Sequence, residues 1–174
     1  MAERKVVLYI AESLDGYIAT KEDSLDWLFS ITGEGDNGYG EFLPTVDTII
    51  MGRRTYDWVM EAEKGNFPYK GKECYVFSKT QKGKNEFVEF IDTDAAAFVN
   101  NLRKQEGKNI WIVGGEKVID TFMKAQLIDE YIITIAPILI GNGIPLFSTR
   151  DFEQKLTLTG VRTFGQFTEL HLVR

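Results

Sequence analysis

Short apolar runs rich in β-formers recur along the chain at Val6–Ala11, Asp47–Met51, Cys74–Phe77, Phe87–Ile91, Asn109–Val113 and Tyr131–Ile135, and each predicts a buried strand. Helical spacing appears between them. Ala97, Phe98, Asn101 and Leu102 predict a helix from a Thr93 or Asp94 cap to Gln105, and a second runs from Glu116 to about Ala125. Asp23 or Ser24 is placed to cap a short helix through Trp27 and Leu28. The glycine-dense Gly33–Gly40 reads as a loop leading into a helix that ends near Pro44, and Gly52-Arg53-Arg54-Thr55-Tyr56 opens another. Leu156–Val161 and Phe167–Val173 alternate polar and apolar across Thr163–Gln166, the pattern of an antiparallel hairpin. Strands that alternate with helices and close on a hairpin predict an α/β fold of three layers, with a mostly parallel central sheet and an antiparallel C-terminal edge. No linker, repeat or low-complexity tract interrupts the pattern, so residues 1–174 read as a single domain.

Composition narrows the function. With 174 residues, 44% of them hydrophobic, the chain can bury one sizeable core. A net charge of −6 argues against nucleic acid as the main partner, which needs a basic surface. A lone cysteine, Cys74, excludes a disulfide framework or thiolate metal cluster within the chain, and a lone histidine, His171, excludes a multi-histidine metal site. After Met1–Lys5 the apolar run is short and soon reaches Glu12, unlike a signal peptide, and no apolar run approaches the length of a membrane span. The expectation is a cytoplasmic protein with no membrane partner.

Three strand-to-helix junctions carry the candidate chemistry. In Ile110-Trp111-Ile112-Val113-Gly114-Gly115-Glu116-Lys117-Val118-Ile119, two glycines open a helix whose first N–H groups and dipole suit an anion. Gly-Gly at such a junction serves close packing about as often. Gly52, Arg53, Arg54 and Thr55 follow the second strand; two arginines oppose the helix dipole unless an anion lies there, the alternative being a solvated pair. Ser78, Lys79 and Thr80 follow the third. In open α/β sheets ligands lie beyond the carboxyl ends of the strands, so three such ends suit one extended ligand with several phosphates, a dinucleotide. Neither Gly-x-Gly-x-x-Gly nor a Walker lysine loop is present.

Ser13-Leu14-Asp15-Gly16-Tyr17-Ile18-Ala19, Met51-Gly52-Arg53-Arg54-Thr55-Tyr56, Phe77-Ser78-Lys79 and Ile112–Ile119 occur in the order seen in the dihydrofolate reductase superfamily, and the resemblance covers nearly the whole chain. Ser13–Ala19 and Ala136–Gly141 look more like the reductase domain of bacterial bifunctional riboflavin-biosynthesis enzymes, and the best match is to small stand-alone proteins similar to that domain. The resemblance implies NADPH as cofactor. Ala11 and Ile18 would touch the nicotinamide, Gly52, Arg53, Arg54 and Thr55 the adenine-ribose phosphate and pyrophosphate, and Ser78 and Lys79 the 2′-phosphate. Val113, Gly114, Gly115, Glu116, Lys117 and Val118 would cradle the pyrophosphate. It also implies a small heterocyclic substrate and a homodimer, for which the Ile144 and Phe147 region offers an apolar surface.

The substrate side is less determined. Dihydrofolate reductases place a carboxylate on their first long helix, where Asp36 falls by count, although Asp36 is also suited to cap that helix. Asp15 could polarise a substrate or serve the Asp-Gly turn. These two are the candidate acids. Trp27 and Tyr39 could line a flat pocket or belong to the core, and Thr134 lies near a pocket threonine of the superfamily. Cys74 reads as a small buried residue, and His171 as structural or exposed. The riboflavin reductases carry an arginine just before the second strand, where this chain has Glu41-Phe42-Leu43-Pro44, and the zinc-binding deaminase half is missing. The resemblance implies reduction of a pyrimidine or pterin-like heterocycle: the riboflavin-precursor reaction first, then dihydrofolate reduction. A nucleotide-binding module without chemistry is the non-enzymatic alternative.

Overall fold

A computed structural model describes residues 2–151 and 153–174. Its strands are β1 Val6–Ser13, β2 Tyr17–Ala19, β3 Val46–Gly52, β4 Glu73–Phe77, β5 Gly83–Lys84, β6 Glu89–Ile91, β7 Asn109–Gly114, β8 Glu130–Ala136, β9 Ile144–Pro145, β10 Thr157–Phe164 and β11 Phe167–Val173. The helices are α1 Asp26–Phe29, α2 Tyr39–Phe42, α3 Arg53–Ala62, α4 Ala95–Arg103 and α5 Glu116–Lys124. A 3₁₀ turn, Leu43–Thr45, joins α2 to β3.

Nine strands form one sheet in the order β10-β11-β8-β1-β7-β3-β4-β6-β5. β8, β1, β7, β3, β4 and β6 pair in parallel; β10, β11 and the short β5 run antiparallel. The three-layer α/β fold with an antiparallel closing hairpin is therefore observed. The central runs Val6–Ala11 of β1, Ile49–Met51 of β3 and Ile110–Val113 of β7 are continuously apolar because both faces are covered. Val6, Leu8, Ile50, Ile110 and Ile112 pack with Ile119 and Phe122 of α5 and Val99 of α4. Their alternates Val7, Ile49, Met51 and Trp111 pack with Phe42 of α2 and Tyr56 of α3. Asp94 caps α4, its carboxylate accepting from Ala97 N–H at 2.8 Å. Neither Asp23 nor Ser24 caps α1, which starts after Leu25. Cys74 is buried, and that burial pushes its thiol up to about 12, as expected of a core residue.

The hairpin turn is tighter than its sequence implied, with only Gly165 and Gln166 between β10 and β11. Gln166 N–H donates to the Thr32 carbonyl at 2.9 Å, and a Cβ on Gly165 would come within 2.7 Å of that oxygen. The hairpin tip is thereby seated on the loop that leads into α2. No helix among the described residues is long and apolar enough to cross a membrane.

Candidate active site

The carboxyl ends of the parallel strands meet at one edge of the sheet. Met51 pairs with Gly114, which makes the turns after β3 and β7 neighbours. Gly52 is the N-cap of α3 and Gly115 that of α5, so neither helix has a side-chain cap. Their first-turn N–H groups are left for a ligand or solvent. A Cβ on Gly115 would lie 3.1 Å from Thr55 Oγ1, and one on Gly52 3.2 Å from Val118 Cγ2. The two helix starts abut, and side chains at these glycines would crowd the contact. The Gly114–Gly115 peptide is cis.

Arg53 ties the third junction to these two. Its Nη1 donates to Gln81 Oε1 at 2.5 Å and its Nε to Asp57 at 2.9 Å, and the guanidinium lies over the Phe90 ring. Ser78 is buried, and its hydroxyl accepts from Gln81 N–H at 3.1 Å, which shapes the turn after β4. Arg54 is exposed and pairs with Asp23 at 2.8 Å; Lys79 and Lys117 are exposed. The Glu116 carboxylate turns away to accept from Ser148. Val113 and Ile18 are half-buried against the two core layers, and Ala11 is half-buried opposite Thr134.

Next to Ala11 lies a second set of side chains, on the sheet face that bears Tyr9 and Trp111. Tyr9 stacks on Phe42 with centroids 3.9 Å apart, and Trp111 meets both rings edge-on while its Nε1 donates to the Tyr9 carbonyl at 3.0 Å. Burial pushes the Tyr9 phenol up to about 12, with help from the negative charge of Glu169. Thr134 pairs with Ala11 on one side and Glu169 on the other. Glu169 is fully buried; its Oε1 accepts from Arg162 Nε at 3.0 Å, Arg162 Nη2 at 2.9 Å and His171 Nε2 at 2.6 Å. Arg162 Nη1 reaches Glu41 on α2 at 2.7 Å. An arginine thus arrives at the segment before β3, supplied by the hairpin. Trp27 is buried with Ala136 and Phe167, and Tyr39 is half-buried beside Tyr9.

The two candidate acids lie in other roles. Asp15 accepts from Ser13 Oγ at 2.6 Å, Ile140 N–H at 3.2 Å and Gly141 N–H at 2.8 Å, clasping the loop after β8 to the turn after β1. Those bonds, the Ser13 hydroxyl first, hold its carboxyl below the usual range, which suits an acceptor rather than a proton donor. Asp36 is exposed and accepts from Gly38 N–H at 3.1 Å and Gly40 N–H at 2.8 Å, fixing the entry to α2. Glu12, on the opposite face of β1 from Ala11, is half-buried, and burial raises its carboxyl to about 7.

Glu169, Arg162, Tyr9, Gln81 and Glu12 were not among the residues selected from sequence. One signal was available: in Phe167-Thr168-Glu169-Leu170-His171-Leu172-Val173 the glutamate shares the parity of Phe167, which a half-buried strand turns inward.

The model of the RibD C-terminal domain matches residues 4–170. The uncharacterized protein YwjB of Bacillus subtilis (strain 168) is 50% identical over 173 residues, 99% of each chain. The riboflavin biosynthesis protein RibD of Escherichia coli (strain K12) is 28% identical over 113 residues, 56% of this chain and 31% of that protein. A crystal structure from Shewanella sp. PV-4, named for riboflavin biosynthesis, superposes with a TM-score of 0.88 at 30% identity and 98% coverage of both chains. The deaminase/5-amino-6-(5-phosphoribosylamino)uracil reductase of Thermotoga maritima shares the fold, with a TM-score of 0.70 at 16% identity over 98% of this chain and 56% of that one.

Proposed function

The chain belongs to the family of the RibD C-terminal domain, and on that premise we propose that it is an NADPH-dependent reductase of a pyrimidine or pterin-like heterocycle. The observation that carries the reading is the meeting of two uncapped helix starts across Gly52, Gly114 and Gly115, with Arg53 tying in the turn after β4. Backbone N–H groups there suit a pyrophosphate. Arg53, Ser78 and Lys79 suit a 2′-phosphate, which distinguishes NADPH from NADH. When bound, the cofactor supplies a hydride. The chain's own part is to hold the acceptor carbon near Ala11 and Thr134, with Asp15 and Asp36 fixing the loops on either side.

The riboflavin-precursor reaction, reduction of 5-amino-6-(5-phosphoribosylamino)uracil, ranks first because family and relatives point to it; dihydrofolate ranks second. The test is NADPH oxidation followed by absorbance with each substrate. Turnover of dihydrofolate alone would reverse the ranking. Cofactor binding without oxidation across pterins and aminopyrimidines would leave a nucleotide-binding module. We further propose a homodimer through the region of Phe147, whose side chain is exposed. A monomeric mass by light scattering at micromolar concentration would refute it.

A further inference from the structure

Among the described residues two charged side chains are buried, Arg4 just before β1 and Glu169 on β11, and they differ in one respect. Arg4 donates to Asp47 at 2.5 Å, Thr48 Oγ1 at 2.6 Å and the Lys108 carbonyl at 2.7 Å, a set that satisfies a structural ion. Glu169 gathers all its donors on Oε1, while Oε2 is buried with no hydrogen-bond partner. A carboxylate oxygen left unpaired in a low-dielectric interior is costly, so natural sequences keep one chiefly where something else completes it. A second orphan lies nearby: the indole Nε1–H of Trp27 is also buried without a partner. Trp27 packs in one cluster with Phe167 and Ala136. Phe167 stands on the same face of β11 as Glu169, two residues away, or ~7 Å along the strand. Ala136 and Thr134 are related in the same way on β8, and Thr134 is directly opposite Glu169. The acceptor without a donor therefore lies opposite Thr134, and the donor without an acceptor belongs to a ring packed on Phe167 and Ala136, the next inward positions of the same two strands.

We propose that Glu169 is the specificity-determining residue for the heterocycle: its Oε2 accepts an N–H of the substrate, while the Trp27 indole donates to a neighbouring carbonyl or ring nitrogen of the same molecule. The inference rests on the reductase reading of the strand ends. The ligand class is an amino-bearing, lactam-type heterocycle. The local charge disfavours a phosphate at this point, since the carboxylates of Glu169 and Glu41 both lie on Arg162 and those of Glu169 and Asp36 both act on the Tyr9 phenol. Arg162 and His171 are positioning residues that hold Oε1 and aim Oε2. The proposal requires the Arg162–Glu41 pair to part and admit the substrate; the Glu41 side chain is 73% exposed, and an exposed ion pair yields readily. Nε and Nη2 stay on Glu169 when that pair parts.

The test uses the full chain without cofactor and 5,6-diaminouracil as the probe, by titration calorimetry. The wild type should bind it, and Glu169→Gln should bind about ten-fold more weakly or worse, as expected for a hydrogen bond to a charged group. Glu169→Asp keeps the charge but withdraws the oxygen by one methylene and should lose a similar factor; Trp27→Phe should lose several-fold. In turnover the loss should appear in KM more than in kcat, with NADPH affinity unchanged. If Glu169→Gln fails to melt cooperatively, Glu169→Asp and Trp27→Phe decide. Wild-type affinity in the folded variants, or no binding of diaminouracil by the wild type, overturns the proposal. Diaminouracil binding that depends on Glu169, in a protein that ignores NADPH, would sink the reductase reading and leave the assignment of Glu169 standing.

Discussion

At the ends of β3, β4 and β7 the groups offered to a ligand are backbone N–H groups and basic side chains at or near the surface; at β1, β8, β10 and β11 they are largely buried or half-buried side chains braced against one another. The first region is assembled from short contiguous segments, each a strand end and the turn after it. The second is assembled across the chain, as in the pair of Arg162 with Glu41, 121 positions apart. A dinucleotide is bound by features any strand–helix junction can provide, whereas a heterocycle must be recognised by particular atoms held rigidly. The two regions should therefore fail differently when altered.

The largest expected effect is on the braced side. Trp111→Ala removes a side chain only 5% exposed that meets Tyr9, Tyr39, Phe42 and Tyr69, and should cost about 3–5 kcal/mol in urea unfolding. A loss of activity with no loss of stability would break the comparison. Arg53→Ala tests the other side. It should weaken NADPH about ten-fold and NADH hardly at all, because a charge-assisted contact to the 2′-phosphate is worth about 1.5–3 kcal/mol. Melting should barely move, since the Arg53–Asp57 pair is exposed. Equal losses for both cofactors would show that Arg53 does not read that phosphate.

A smaller effect concerns pH. Burial raises the folded Glu12 carboxyl from 4.5 to about 7, so between those values the folded state holds a proton the unfolded chain has released. Stability is therefore lost as pH rises through that window, and the deficit is complete above about 7. After allowance for solvent screening of a half-buried group, Glu12→Gln should gain about 1 kcal/mol at pH 8 and nothing at pH 4. Thermal melts at the two pH values check the sign, and an equal gain at both would show that the carboxyl does not titrate as described. The smallest effect is that of Asp36→Asn. One of the two carboxylate oxygens that accept from backbone N–H groups becomes an amide donor, which should cost about 0.5–1 kcal/mol and leave kcat nearly unchanged. Abolished turnover in a folded Asp36→Asn protein would return that carboxylate to the chemistry.

The same contrast governs what could be read before folding. The order of strands and helices, the antiparallel hairpin and the glycine junctions were legible because each depends on neighbours within a few residues. Gly52, Gly114 and Gly115 announce themselves, since chains keep glycine where backbones approach. The short strands β2, β5 and β9 were missed because two or three residues carry no period. Asp15 and Asp36 were singled out as acids by residue type, and their partners, backbone N–H groups and for Asp15 the Ser13 hydroxyl, are not revealed by residue type. Glu169 was passed over for the opposite reason. Its parity with Phe167 pointed inward, but a charged residue is ordinarily solvated, and only the register with Thr134 and Arg162 supplies the partners that let it be buried.

The hairpin of β10 and β11 lies at the rim of the sheet, and β10 pairs with β11 alone among the strands of that sheet. Among the described residues no hydrogen bond or ion pair joins it to the turns after β3, β4 or β7. On the proposed reading, the inward row Arg162, Glu169 and His171 can be exchanged for other side chains, and the substrate changed, with the strand ends assigned to the nucleotide left intact. Chimeras that transplant residues 157–173 between relatives should carry substrate preference with them. The diversity of the group would then be written mainly in one ribbon at its margin.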